Sequence, residues 1–234
     1  MKTIATAMLA VFALVSVVSA QEPVGAAAAE VKDEMVEVRS KFKDTWVHPD
    51  ADFGRYSRIM LGEADFEFRD VGPARKSRSS YRSSGRTQEF GIADADREKF
   101  KQVVGDAFSK EMERSKKFDI VTSPGPNTIR VQGAVLDIVS HVPPDTIGRS
   151  EIYMSSVGEA TLVLELLDSE SGAVLAYVED RRKMEKPGGG RIDSMTMPTN
   201  SVTVWSDVGR WARSAASRLR SELEKAQKQA RKGR

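Results

Sequence analysis

The sequence predicts an α+β fold: a two-layer sandwich in which a mixed, mainly antiparallel sheet carries two long helices on one face. Several segments alternate apolar and polar residues, as half-buried strands do, and two longer segments repeat apolar residues every three to four positions, as helices do. The segments follow one another as strand, helix, further strands, helix, which is an order typical of helices packed on one face of a sheet. An alternative places the N-terminal segment over the other face as a partial third layer.

The first 20 residues have the three parts of a secretory signal peptide. Lys2 supplies positive charge, residues 4–18 form an apolar run too short to span a membrane, and Val18 and Ala20 are small residues at the cleavage positions. Cleavage after Ala20 would leave Gln21 as the N-terminus. The sequence contains no Cys, which excludes disulfides, a lipid-modified Cys and thiolate metal ligands. We therefore expect a periplasmic or secreted protein with no transmembrane segment after cleavage.

The rest of the chain is predicted to form one domain with short extensions. Residues 21–45 are a tether or a short helix, because four apolar residues recur there at helical spacing. Residues 46–224 have the length of a single domain, and residues 225–234 form a basic, apolar-poor tail that we expect to fray.

The elements of the first half are a strand, a long loop and a helix. The strand is expected at 58–68, where apolar and aromatic residues alternate with polar ones. Residues 72–91 are rich in Ser and Arg without an apolar period, which predicts a mobile loop. Asp94 is the predicted N-cap of a helix whose apolar face includes Phe100, Val104 and Met112.

The second half predicts short strands, a hairpin and a final helix. Strands are expected at 118–121 and 129–139, and residues 158–167 and 173–181 flank a turn in which Gly172 takes a positive φ. We expect Leu166 to face Val174 and Glu159 to face Arg181 across the hairpin. A loop at 184–199 leads to a helix with this apolar stripe: Trp205, Val208, Trp211, Ala212, Ala215, Leu219, Leu223 and Ala226.

Four stretches of the chain resemble one bacterial family. Residues 46–56 read WVHPDADFGRY and are similar to the opening signature of the domain-of-unknown-function family 3313; PGPNTIRV at 124–131, the hairpin at 158–182 and the helix at 205–223 also fit it. Its members are usually described as lipoproteins of the cell envelope, so the resemblance implies an envelope setting without an activity. This chain lacks the Cys that would carry lipid, which implies a soluble periplasmic form or association through a partner.

The residues that usually carry catalysis or bind metals are scattered. His48 and His141 are the only histidines and lie far apart in sequence, and the Ser-x-x-Lys spacing of Ser40 and Lys43 is a single short match. Five carboxylates around the hairpin could converge as acid and base catalysts, but a charged, solvated strand face explains them as well. They are Glu159, Glu165, Asp168, Glu179 and Asp180. Asp168 is more simply a turn residue whose carboxylate accepts hydrogen bonds from backbone amides.

The loop at 72–91 is the candidate binding site that the sequence favours. With 36 basic and 34 acidic residues the chain is nearly neutral, which argues against a nucleic-acid partner, so charge acts locally. The loop contains five cations that could hold an anionic envelope component, although a solvated loop explains the same composition. They are Arg75, Lys76, Arg78, Arg82 and Arg86.

We therefore expect a non-enzymatic cell-envelope protein that acts through protein or surface contacts. The alternative is a binding module for an anionic envelope ligand or polymer, and a hydrolase is a distant third; no catalytic, metal-binding or cofactor-binding residue is predicted. The three classes make different demands on the structure. A contact protein exposes an apolar patch, a ligand module has a concave pocket, and an enzyme has convergent titratable groups.

Overall fold

A computed structural model describes residues 32–71, 89–143, 152–185, 198–199 and 201–233 of the chain. The predicted signal peptide and the five cations of the 72–91 loop lie outside the described residues. The described part contains nine strands and two α-helices. They are β1 Val36–Glu37, β2 Asp44–Val47, β3 Arg58–Phe68, α1 Asp94–Met112, β4 Asp119–Val121, β5 Thr128–Ser140, β6 Ile152–Tyr153, β7 Ser156–Asp168, β8 Val174–Glu185, β9 Pro198–Thr199 and α2 Ser201–Lys232.

Seven of these strands form one sheet in the order β1-β2-β8-β7-β5-β3-β4, and β6 pairs with β9 separately. Four of its neighbouring pairs are antiparallel, whereas β3 is parallel to both β5 and β4. The parallel pairing follows from the chain path, because α1 and its flanking segments connect β3 to β4 and β5. The predicted α+β class with a mixed, mainly antiparallel sheet is confirmed.

Both helices and one face of the sheet contribute to one apolar core. Phe100 of α1, Leu164 of β7 and Leu219 of α2 are 3%, 2% and 1% exposed and belong to the same buried cluster. The alternation along β7 explains this, since Leu162, Leu164 and Leu166 all face the cluster. The division of the whole domain into two layers stays a prediction.

The N-terminal segment differs from the predicted tether or short helix. Its described part contains β1 and the start of β2, which extends the sheet beyond the edge of β8. Trp46 pairs with Tyr177 in register, with the two rings 5.8 Å apart. Together with Met35, Trp46 packs on Val163 and Tyr177, on the side opposite the helices. Part of the outer face is thus covered by residues of this segment, while the partial third layer of the alternative stays a prediction.

The hairpin forms at the predicted place with a different register. The expectation that Leu166 faces Val174 is wrong: Leu166 pairs with Ala176, and Val174 pairs with Leu167 after an irregularity. The observed register differs from the predicted one by two residues. The same side chains therefore face the core in both registers. Gly172 has the expected positive φ of 73°.

The predicted cross-strand ion pair forms along a diagonal of the hairpin. Glu159 lies opposite Lys183, not opposite Arg181 as expected. Its carboxylate nevertheless accepts a hydrogen bond from Arg181, which also pairs with Asp137 of β5. Long side chains reach diagonal neighbours on one sheet face, which explains why the ion pair survives the change of register.

Both helices begin or end differently from the prediction. Ala93, not Asp94, is the N-cap of α1, and it makes no side-chain cap bond. Asp94 lies instead in the first turn, where a carboxylate interacts favourably with the helix dipole, and it pairs with Arg97 at 3.5 Å. The helix α2 continues through the predicted tail to Lys232 because Gln227 is buried there and has a partner. Neither α1 nor α2, as far as the structure describes them, contains an apolar stretch of the length that a membrane span requires.

Two glycines provide a matched test of backbone packing. A Cβ at Gly158 of β7 would lie 2.5 Å from the carbonyl oxygen of Val139, whereas a Cβ at Gly105 of α1 would have no neighbour within 4 Å. We expect Gly158→Ala to lower the free energy of unfolding by about 1 to 3 kcal/mol. Gly105→Ala should raise it by about 0.5 to 1 kcal/mol, because Ala is the better helix former. Urea unfolding measures both, and equal midpoints would contradict the close approach of β7 to β5.

Candidate functional site

The carboxylates that the sequence grouped around the hairpin lie on different sides of the sheet. Glu179 pairs with Lys32 at 3.0 Å on the face away from the helices. Asp180 is 2% exposed and faces α2, where it pairs with Arg182 at 2.7 Å and Arg218 at 3.3 Å. With Glu159 paired to Arg181, these groups form separate ion pairs, although the buried Asp180 does not lie on the solvated face that the charged-face alternative expected. In the described parts of the chain, no three His, Asp or Glu side chains come together as a metal site.

The histidines and the Ser-x-x-Lys pair lie in separate surroundings. His48 accepts a hydrogen bond from the backbone amide of Asp50 at its Nδ1 atom, at 3.1 Å. His141 is 2% exposed, and burial lowers its pKa, which favours the neutral imidazole. The hydroxyl of Ser40 is 2.7 Å from that of Thr45, while Lys43 lies 3.8 Å from Asp44. The Ser-x-x-Lys spacing therefore places its two residues with separate partners.

The signature at 46–56 meets the hairpin turn through Asp168. The Asp168 carboxylate is 8% exposed and accepts hydrogen bonds from the Tyr56 hydroxyl at 2.8 Å and from the Arg55 guanidinium. It also accepts from the backbone amides of Glu170 and Ser171 at 3.1 and 2.9 Å, which confirms the predicted turn role. One side chain therefore holds the turn and connects it to the signature.

The ionisation of this cluster follows from its burial and its hydrogen bonds. Burial alone would raise the pKa of Asp168, but hydrogen bonds from Ser171, Tyr56 and Glu170 together bring it below its ordinary value. Burial raises the pKa of Tyr56 to about 12, and its bond to Asp168 adds to the shift. Tyr56 is therefore a neutral donor and Asp168 a charged acceptor at neutral pH.

The C-terminal end of α2 contacts the signature residues of the same cluster. Gln227 donates to the Tyr56 carbonyl at 2.7 Å, and Arg231 donates to the Gly54 carbonyl at 3.2 Å. A Cβ at Gly54 would lie 3.1 Å from that of Ala230, so the two backbones approach closely. The signature thus connects the hairpin and α2, and its described contacts are those of a structural joint. The polar composition of the 225–234 segment gave no signal of these contacts.

A concave groove lies beside this joint, between the β2 edge and the C-terminal half of α2. Its volume is ≈ 330 Å³, and its floor is apolar. The side chains that form the floor come from β2, β7, β8, α2 and the segments before and after β2. They are Phe42, Val47, Phe53, Leu166, Ala176, Val178, Leu219, Leu223 and Ala226. Alternate side chains of β7 and β8 lie on the face of the sheet toward α2, and the apolar stripe of α2 lies on the face toward the sheet. The groove is the space between them.

The mouth of the groove is basic and partly apolar. Arg39 and Lys225 lie at its edge, and Lys41 is nearby because its Nζ donates to Ser221 of α2 at 2.7 Å. The acid at the mouth is Glu222, 3.6 Å from Lys225. Val36 and Val38, at the sheet edge, are 55% and 38% exposed. An anionic group with an attached apolar chain is the chemistry that these side chains complement.

A second cavity of ≈ 350 Å³ lies between α1, the start of α2 and the ends of β5 and β8. Its lining includes Gly91, Val142, Met184 and Val204, which adjoin segments outside the described residues. The charged residue in the lining of this second cavity is the acidic Asp96, whereas the groove beside β2 has Arg39 and Lys225 at its edge, so the groove is the candidate site that suits an anionic ligand.

The fold and the site define an α+β protein with an apolar, basic-rimmed groove and paired carboxylates. The family model for a protein of unknown function, DUF3313, matches residues 31–219. The chain therefore belongs to this family, and the resemblance seen in the sequence is confirmed. No curated protein matches.

Solved structures show only distant likeness. A PelC dodecamer from Paraburkholderia phytofirmans is 11% identical, with 80% of this chain and 96% of that chain covered and a TM-score of 0.32. A protein from Xanthomonas campestris is 11% identical, with 83% and 95% covered and a TM-score of 0.39. Similarities at this level carry no argument about function, which is therefore inferred from the site.

Proposed function

We propose that this chain is an exported cell-envelope protein that acts by binding an envelope component, without catalysing a reaction. The observation that carries the proposal is the groove beside β2, a concave apolar surface with cations at its mouth. Such a surface is typical of a binding site, because apolar area removed from water favours association and a few polar groups orient the bound molecule.

The arrangement of titratable groups supports binding over hydrolysis. The carboxylates of Asp168, Asp180 and Glu159 are each held by cations or hydroxyl groups within the protein. A general acid or base must reach the proton it transfers, whereas these carboxylates make their ion pairs and hydrogen bonds to groups of the protein itself. The described carboxylates thus have a structural use that explains their positions.

The signal-peptide pattern and the family support the cellular setting. Export would place the groove among the lipids, glycans and proteins of the envelope, and the absence of Cys leaves contacts of the folded domain to hold the protein there. The proposed partner is accordingly an envelope protein or an anionic envelope component.

Site-specific crosslinking in native cells tests this proposal. We expect the exported form to begin at Gln21, and we expect a photoreactive residue at Val38, beside the groove, to capture an envelope molecule. The matched control is the same residue at Lys117, which is exposed near β4 at the opposite edge of the sheet. N-terminal sequencing, fractionation and mass spectrometry of the adducts give the readout. An intact Met1, or the same adducts from both positions, would contradict the proposal.

A further inference from the structure

We propose that the groove beside β2 binds one acyl chain of an anionic membrane lipid and that the cations at its mouth bind the lipid's charged group. This inference rests on the proposed function and names the chemical class of the ligand. It follows from the size of the groove, the chemistry of its walls and the charges at its entrance, which are considered in turn.

The groove has room for the greater part of a single acyl chain. Its volume of ≈ 330 Å³ compares with roughly 30 Å³ for a water molecule in the liquid, and a methylene group occupies a similar volume. There is therefore room for a chain of roughly ten carbons. Each methylene moved from water to an apolar wall strengthens binding about fourfold, so a chain of this length is enough for a specific complex.

The walls suit a hydrocarbon better than a peptide. The floor is formed by side chains of Phe42, Leu166, Val178 and Leu219, which offer no hydrogen-bonding atoms. The hydroxyl of Thr45, also in the lining, is already 2.7 Å from that of Ser40. A peptide backbone placed there would leave amide and carbonyl groups without partners, whereas an acyl chain has none to satisfy.

The entrance selects for negative charge. Arg39 is exposed and, within the described part of the chain, has no ion-pair partner. Lys41 donates to a neutral hydroxyl, that of Ser221, and in the described part of the chain no carboxylate lies within ion-pair distance of it. Two cations near a membrane surface attract anionic head groups, and each contributes about fivefold in binding.

The side chains next to the mouth favour a lipid that comes from a membrane. Val36 and Val38 are exposed beside these cations, and Glu37 between them is exposed as well, so the sheet edge presents apolar and basic groups together with one acid. Exposed apolar side chains next to cations favour contact with the boundary between head groups and acyl chains, where apolar area and anionic lipids both attract the protein. A lipid could then pass from the bilayer into the groove without its chain crossing water.

A fluorescent fatty acid provides a direct test. The mature chain, freed of bound lipid on a hydrophobic resin, is titrated with cis-parinaric acid, whose fluorescence rises when its chain leaves water. We expect saturable binding of one molecule per chain. The uncharged methyl ester should bind about tenfold or more weakly, because it does not attract the cations at the mouth. Equal binding of acid and ester would overturn the assignment of the anionic group.

Matched variants identify the site. Ala226→Phe, on the groove wall, should abolish binding by filling the space, whereas Ser214→Phe, exposed on the same helix, should leave it unchanged. Ala51→Phe fills the groove from the opposite wall and replaces the first variant if that one does not fold. If the filled variants bind as tightly as the control, the chain lies elsewhere and the inference is wrong.

A charge test separates the groove from general adsorption to membranes. The double variant Arg39→Ser with Lys41→Ser should weaken binding of the fatty acid about 25-fold, from about fivefold for each cation, while Lys116→Ser with Lys117→Ser should not. Phosphatidylglycerol vesicles provide the second arm: we expect Ala226→Phe to retain vesicle binding but not fatty-acid binding. If Ala226→Phe retains both vesicle binding and fatty-acid binding, the lipid site is refuted. Crosslinking from Val38 to a protein, without fatty-acid binding, would leave the proposed function standing and remove this inference alone.

Discussion

Replacing Trp211 or Leu219 by Ala is expected to lower the free energy of unfolding by about 3 to 5 and 2 to 5 kcal/mol, respectively. Both side chains lie on the face of α2 that packs on the sheet, where they are 7% and 1% exposed. Truncation would leave a cavity and lose the apolar contacts of the removed atoms. A loss of this size is a large share of the stability of one domain, so we expect a marked shift of the urea midpoint.

Two further variants separate packing from other causes. Ser214→Ala, at an exposed position of the same helix, should change the free energy of unfolding by no more than about 0.5 kcal/mol. Trp211→Phe keeps most of the apolar area and removes the indole N–H, which is buried and has no hydrogen-bond partner among the described residues. Trp211→Phe should therefore lower the free energy of unfolding much less than Trp211→Ala does. Unchanged midpoints for both Ala variants of the buried residues would show that α2 does not pack on the sheet.

Replacing Asp168 by Ala is expected to lower the free energy of unfolding by about 2 to 4 kcal/mol. The change would leave the buried Tyr56 hydroxyl and two turn amides without their acceptor. Arg55 contributes less to the cost because its side chain is 53% exposed and would return to water. Tyr56→Phe removes only one of these bonds and should cost about 1 to 2 kcal/mol, so the difference between the two variants measures the turn amides together with the Ser171 hydroxyl and Arg55. Equal losses would contradict the central role of Asp168.

The same cluster sets an acid dependence of stability. The pKa of Asp168 in the folded protein lies below its ordinary value of 3.8, so the unfolded chain binds the proton more tightly. The stabilisation by this group is therefore present above about pH 4 and is lost as the pH falls below it. Asp137 acts in the same direction, because its hydrogen bond from Arg69 brings its pKa to about 2. Asp168→Asn should accordingly show a shallower fall of the urea midpoint between about pH 5 and pH 2 than the unchanged protein.

The positions of the main elements were predictable because each has a local signal. The alternation from Arg58 to Phe68 and the apolar stripe from Trp205 onward define a strand and a helix without reference to the rest of the chain. Gly172 marked the hairpin turn for the same reason, since its positive φ is a local requirement. Register is not local: Leu166 could pair with Val174 or Ala176 and still face the core, because the two choices differ by a full strand period.

The candidate site depended on contacts that sequence distance conceals. The groove brings together Phe42, Leu166 and Leu219, which come from three separate parts of the chain, and the sequence placed the binding site in the 72–91 loop instead. The cations at 75–86 lie outside the described residues, so that hypothesis stays a prediction. Arg39 and Lys41 gave no signal as a pair, because their relation to the groove depends on β2 pairing with β8.

By itself the sequence determined the α+β class, the family, the turn at Asp168 and the apolar face of α2, because these depend on residue types and periods along the chain. Only the tertiary structure decided that the signature at 46–56 joins the hairpin to Gln227, that the hairpin carboxylates lie in separate ion pairs, and that an apolar groove opens beside β2. The physical reason is that burial and ion pairing are properties of neighbours in space. A carboxylate such as Asp180 reads as a surface charge in the sequence, yet it is buried because Arg182 and Arg218 compensate it from two different elements.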